Sequence, residues 1–117
     1  MGRVIGFEIS CQDPEKAAHF YREVFGWEIG EPMWDYRSVS TGKEDGKGEL
    51  KGGISKGPGD YPHGTRILIE VDSIEETMAT AKDHGAQVVR EKMAFENFYL
   101  AYLVDPTGVG FGIREKK

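Results

Sequence analysis

The chain has 117 residues, 38% of them apolar and 30% charged, which suits one compact domain and excludes a disordered or fibrous protein. A net charge of −5 without a basic cluster argues against nucleic-acid binding, and no apolar run is long enough to cross a membrane. Cys11 is the only cysteine and Met1-Gly2-Arg3-Val4-Ile5 opens no long apolar stretch, so no internal disulfide is possible and a cytoplasmic protein is predicted.

Residues 3–11 alternate, with Ile5, Phe7, Ile9 and Cys11 on one side and Gly6, Glu8 and Ser10 on the other, the pattern of a strand packed on one face. Asp13-Pro14-Glu15 then starts a helix. Asp13 caps its free N–H groups, Pro14 suits the first helical position and Glu15 favours the positive end of the dipole. Ala17, Phe20, Tyr21, Val24 and Phe25 are predicted to form its buried stripe, and Gly26 to end it. A second strand begins at Trp27–Ile29, and Gly30-Glu31-Pro32 turns the chain. A third is expected over Trp34–Thr41, with Trp34, Tyr36 and Ser38 on one face. Gly42–Gly48 reads as a polar hairpin loop and Glu49–Ser55 as the fourth strand.

The pattern then repeats. Ile67, Ile69 and Val71 match the apolar face of the first strand at an offset of 60, Ser73-Ile74-Glu75-Glu76 is a capping-box pattern, and Ile74, Met78 and Ala81 line a second helix closed by Gly85. Strands are expected at about 86–93, 97–104 and 108–114, with Asp105-Pro106-Thr107-Gly108 as the last turn. Each half is therefore βαβββ. The fold class is α+β: two tandem modules whose curved mixed sheets surround a shared cavity, helices outside. The chain is expected to be one domain, 1–117, with module one at 1–55, a linker at 56–64 and module two at 65–117.

Asp13-Pro14-Glu15-Lys16-Ala17-Ala18-His19-Phe20-Tyr21-Arg22-Glu23-Val24-Phe25-Gly26-Trp27, Tyr36–Gly42, Gly52-Gly53-Ile54 and Asp105-Pro106-Thr107-Gly108 occur in an order that resembles the vicinal oxygen chelate superfamily, which holds glyoxalase I, bleomycin-resistance proteins and extradiol dioxygenases. The likeness is to its glyoxalase-related bacterial branch. It implies a homodimer, because relatives usually dimerise. It also implies a divalent metal between the halves, with two ligands on the first strands and two on the last. Carried over by motif, those positions are Gly6, Gly53, Arg66 and Gly112. Glycine has no donor side chain and arginine is permanently cationic, so no metal and no cofactor is expected. His19 and His84 read as surface histidines at helices, and His63 sits in the linker.

The same positions suit a small-molecule ligand. Glycines admit close approach to backbone, and Arg66 offers a planar fork to a carboxylate, phosphate or enolate; an ion pair with Glu8 is the structural alternative. Glu8 is the candidate general base or else that pair's partner. Trp34 and Tyr36, with Met93 and Phe95 taken as their counterparts, either stack on a flat ligand or complete the packing. Tyr99 and Tyr102 have opposite parity, so only one of them faces the cavity. Cys11, on the helix side, reads as an inert thiol. The candidate ligand-binding set is Gly6, Glu8, Trp34, Tyr36, Gly53, Arg66, Met93 and Gly112, with Glu8 and Arg66 the candidates for catalysis. Three functions fit: a metal-free binder of a small aromatic or anionic molecule, a metal-independent lyase or isomerase of a small carbonyl compound, and an interaction subunit whose cavity is filled by its own side chains.

Overall fold

The computed structural model describes residues 2–42, 50–57 and 64–117. The predicted hairpin loop after Gly42, most of the linker and His63 lie outside the described residues. The element order is β1 (Arg3–Cys11), α1 (Pro14–Phe25), β2 (Glu28–Ile29), β3 (Tyr36–Ser40), β4 (Lys51–Lys56), β5 (Gly64–Glu70), α2 (Ile74–Asp83), β6 (Gln87–Ala94), β7 (Phe98–Val104) and β8 (Gly110–Lys116). The fold is thus α+β with two βαβββ modules. The chain forms two compact units, Gly6–Thr65 and Arg66–Lys117, the second also taking in the residues up to Ile5.

In the first unit the strand order is β2-β3-β4-β1. β1 and β4 run parallel from Gly6 opposite Lys51 to Cys11 opposite Lys56, while β3 is antiparallel to both β4 and β2. Parallel neighbours need a long crossover, and α1, β2 and β3 supply it. Phe7, Ile9 and Cys11 point to the helix side, where they pack with Ala17, Ala18, Tyr21, Val39 and Ile54; Ile54 is fully buried. Asp13 accepts from the Lys16 N–H at 3.0 Å, and Gly26, at φ 71°, donates to the Arg22 carbonyl at 2.9 Å. Both ends of α1 are as the sequence predicts.

Its buried stripe is so only in part. Ala17 and Tyr21 meet the sheet as predicted, together with Ala18, while Phe20, Val24 and Phe25 are more than half exposed. A small residue at 18 lets the helix axis come close to the sheet, which turns the large side chains outward to the flank. There the Phe25 ring lies 6.1 Å from Tyr21 and 5.9 Å from Trp27, and Tyr21 stacks on Trp27 at 4.8 Å. The third strand also starts later than predicted. Met33 and Tyr36 exchange backbone hydrogen bonds of 2.8 and 3.2 Å, so Trp34 and Asp35 form a two-residue hairpin turn and not a strand.

The second unit has strand order β5-β8-β7-β6. β5 and β8 are parallel; β7 is antiparallel to β8 and to β6. Ile74, Met78, Ala101, Leu103 and Ile113 form the core beneath α2. Burying each of the larger side chains contributes roughly 1.5–3 kcal/mol. Ser73 Oγ accepts from the Glu76 N–H at 3.2 Å, and Glu115 on β8 meets the Ile74 N–H at 2.8 Å, which ties the start of α2 to the sheet. Gly85, at φ 97°, takes the left-handed position after the helix.

In the last turn, Asp105 Oδ1 accepts from the Thr107 N–H and Oγ1 and from the Val109 N–H at 2.7–3.1 Å. These hydrogen bonds, the Thr107 hydroxyl foremost, hold the Asp105 carboxyl below the usual range. A lowered folded-state pKa contributes stability above the unfolded value, and that contribution is lost as pH falls through the folded one. Asp105→Asn is therefore expected to melt below the wild type at pH 7. The gap should close as the pH drops through the carboxylate range; a gap that stays constant to pH 2.5 in thermal melts would count against this account.

Candidate functional site

The strands of each unit have one side under the helix and one side away from it. In the first unit the helix-free side carries Gly6, Glu8 and Ser10 from β1, because Phe7, Ile9 and Cys11 take the other. Register places Glu8 opposite Gly53 and Gly53 opposite Ser38, with Ser10, Ser55 and Tyr36 in the next row. Glu8 and Ser10 are 7% and 2% exposed, so this side buries a carboxylate and a hydroxyl. Buried groups of this kind require partners, and both have them. The Tyr36 ring lies over the backbone of Gly53, and a Cβ at 53 would sit 2.5 Å from its Cζ. Glycine at 53 is what lets the ring approach so closely.

The second unit repeats this device. Leu68, Gly112 and Tyr102 lie in one row, on the side opposite α2. A Cβ at Gly112 would meet Leu68 Cδ2 at 2.6 Å and Tyr102 Cε1 at 3.1 Å. Arg66 is 5% exposed, and its guanidinium carbon lies 4.7 Å from the centroid of the Tyr102 ring. A cation stacked on an aromatic face is stabilised by the ring quadrupole, which offsets part of the cost of removing it from water. The question between Tyr99 and Tyr102 is thereby answered: Tyr99 packs with the core under α2, and Tyr102 faces away from it.

Of the predicted site residues, Gly6, Glu8, Tyr36 and Gly53 share the helix-free face of the first unit, and Arg66, Met93 and Gly112 that of the second, where Met93 pairs with Leu100. Trp34 does not join them on a strand. It sits in the turn before β3, 96% exposed at φ 59°. Nor do Met93 and Phe95 correspond to Trp34 and Tyr36. Met93 lies on the eight-residue β6, Phe95 is past its end with its ring 5.1 Å from Phe98, and the matching strand of the first unit, β2, has only two residues. A fixed offset fails where hairpins differ in length. The residue that corresponds by contact with the glycine is Tyr102, which sequence spacing left undecided.

The four positions that the resemblance gives to metal ligands do not fit a metal. Three are glycine, with Tyr36 on one and Leu68 and Tyr102 against another, and the fourth is a buried guanidinium. Among the described residues no group of three or more His, Cys, Asp or Glu is disposed to hold a metal ion. A cavity of about 650 Å³ does occur in the second unit, but it lies on the helix side, between α2 and Ile69, Val71 and Phe111. Its floor is apolar, and it shares no residue with the set above.

Comparison with known proteins bears on the whole of this arrangement. The model of the glyoxalase-like domain family matches residues 6–114. A hypothetical protein, BH1468 from Bacillus halodurans C-125, superposes with a TM-score of 0.66 at 21% identity, over 99% of this chain and 95% of that one. A methylmalonyl-CoA epimerase in complex with methylmalonyl-CoA and NH4+ gives 0.67 at 16% identity, over 99% and 95%. A Streptomyces coelicolor methylmalonyl-CoA epimerase variant in complex with 2-nitronate-propionyl-CoA gives 0.66 at 16%, over 97% and 96%. At such identities the likeness is one of fold. No curated protein matches the sequence.

Two outcomes follow from the glycines and the turn. Gly112→Ala should cost about 1–3 kcal/mol, because Leu68 is buried and has nowhere to go, whereas Gly53→Ala should cost less, because Tyr36 is 38% exposed and can swing aside. Urea unfolding measures both, and equal losses would reject the distinction. Trp34→Gly should stabilise the protein by about 1 kcal/mol, because Trp34 makes little use of burial and holds a backbone region that disfavours side chains. A loss of stability in the same experiment would show that the indole is packed after all.

Proposed function

We propose, from the premise that this chain belongs to the glyoxalase-like domain family of the vicinal oxygen chelate superfamily, that it binds a small anionic, planar molecule without a metal ion. The observation that carries the reading is Arg66. Arginine is rarely buried unless its charge is used, and hydrophobic residues of similar volume would pack at lower cost. Here it is 5% exposed, stacked on Tyr102, beside a strand whose glycine leaves room for the ring. A guanidinium has five N–H donors in one plane, so a contact within the protein and a ligand carboxylate can share it. The aromatic face of Tyr102 gives a flat ligand body a surface to lie on.

A second reading rests on Glu8. A buried carboxylate on the helix-free face of the first unit is suited to take a proton from carbon, as a metal-independent lyase or isomerase of a small carbonyl compound requires. It predicts exchange of the α-hydrogens of small keto acids in deuterated water, seen by NMR and abolished in Glu8→Gln. Absence of exchange across such acids rejects it.

For the binding reading, aromatic carboxylates should raise the melting temperature of the metal-free protein, and a chelator should not change this. Saturation at about 100 times Kd corresponds to about 2.7 kcal/mol. Arg66→Gln should weaken binding by about 10- to 100-fold, the worth of one charge-assisted pair, and Arg66→Lys should recover only part, because an ammonium lacks the fork. Unchanged affinity in a folded Arg66→Gln variant, or no stabilisation by any organic anion, overturns the reading.

A further inference from the structure

We infer that Arg90 is a second anion-binding residue beside Arg66, and that the ligand is therefore a dianion: a planar molecule with two carboxylates, or a phosphate monoester. The inference rests on the binding reading above and adds its charge class.

The argument begins with a fault in a ladder. β6 and β7 pair with Val88 opposite Leu103, in the core under α2. Continued without interruption, that ladder would set Arg90 opposite Ala101, which is fully buried in the same core. Instead the register shifts between Val88 and Arg90, and Arg90 stands opposite Tyr102. Directly paired residues share a face, so the irregularity moves Arg90 from the helix side to the helix-free side. A second shift, between Arg90 and Met93, sets Met93 opposite Leu100. Lys92 between them stays on the helix side, its Nζ 3.1 Å from Glu75 and 4.2 Å from the Tyr99 ring centre. The two shifts together sort three neighbouring side chains between two faces, and each forgoes ladder hydrogen bonds to do so.

Their product is a charge asymmetry. The registers place Arg90, Arg114, Lys116 and Glu70 on the helix-free face of this unit, and strand alternation adds Arg66. Glu70 lies 3.8 Å from Lys116 and 3.7 Å from Arg3. A chain of net charge −5 thus gathers three arginines and a lysine around one carboxylate on a single face. The arginines are also held in place. Arg114 lies 3.8 Å over the ring of Phe98, Arg66 lies 4.7 Å over Tyr102, and Arg90 donates through Nη1 to the Val89 carbonyl at 3.1 Å. Arg66 lies over the Tyr102 ring, and Arg90 is the residue paired with Tyr102 across the ladder, on the same face. Gathering like charges raises the energy of the face, and a ligand with two negative charges relieves it more than one with a single charge. Oriented guanidiniums match carboxylate and phosphate oxygens alike.

The test is calorimetric titration of the full chain with benzoate, isophthalate and phenyl phosphate. The expected result is that at least one of the two dianions binds about tenfold or more tightly than benzoate. Arg90→Gln should remove that preference, because one charge-assisted pair is worth about tenfold or more. Isophthalate ahead of phenyl phosphate assigns carboxylates, and the reverse assigns a phosphate; either supports the inference. If benzoate binds through Arg66 as well as both dianions do, the inference falls and the binding reading stands. If none of the three binds, both fall. The wild-type comparison needs no variant, and Arg90→Lys, which keeps the charge, should retain the preference at lower affinity if Arg90→Gln fails to fold; a folded Arg90→Gln that keeps the full preference overturns the inference.

Discussion

A tyrosine ring resting where a neighbouring strand has no Cβ occurs in both units, Tyr36 on Gly53 and Tyr102 beside Gly112, and the helix-free faces are arranged around it. At either place a single methyl would fall within 2.6 Å of a neighbour as the side chains now lie. The two glycines are related by the internal repeat, yet the tyrosines are not at equivalent sequence offsets. Tyr102 lies directly opposite its glycine, whereas Tyr36 lies in the adjacent row and reaches over diagonally. The same constraint, a flat ring needing a bare backbone, has been met from two different positions.

That constraint also explains why the positions where relatives would place metal ligands are bare. A side chain long enough to reach a cation from position 53 or 112 would have to pass through the space those aromatic rings and Leu68 occupy. Aromatic and aliphatic groups occupy the volume beside these glycines, and Arg66 carries a fixed positive charge. Histidine or glutamate at 53 or 112 would have to displace those groups.

Much of this was legible in the sequence, and the parts that were not share a cause. Period-two alternation in β1 and β5, the caps Asp13 and Ser73 and the left-handed Gly26 and Gly85 are local signals, and each appears where the residues indicate. The buried stripe of α1 was misjudged in part because large apolar side chains at helical spacing suggest burial, while the small Ala18 is what allows close approach to the sheet. Trp34 was misplaced because an indole favours strands and the turn that holds it lacks glycine. Arg90 carries no such local signal. Its side is set by a register shift, and a shift depends on how two strands pair, which no pattern along β6 alone records.

The substitution of arginine for a metal position has a chemical logic that fits the binding reading. A divalent ion in such a fold holds an anionic oxygen by charge and by open coordination sites, and it must be acquired, retained and kept from hydrolytic or redox side chemistry. A guanidinium supplies charge and directional donors with no acquisition step, but it cannot accept an electron pair as a Lewis acid does. A guanidinium is therefore suited to recognition of an anion and not to strong polarisation of a carbonyl. On the proposed reading, Arg66 against Tyr102, Arg90 set on the same face by a break in the ladder, and Arg114 on Phe98 would serve the first task. These cations are stacked and tethered, so little side-chain entropy remains to be lost when an anion arrives, and affinity benefits from that preorganisation more than from added contact area.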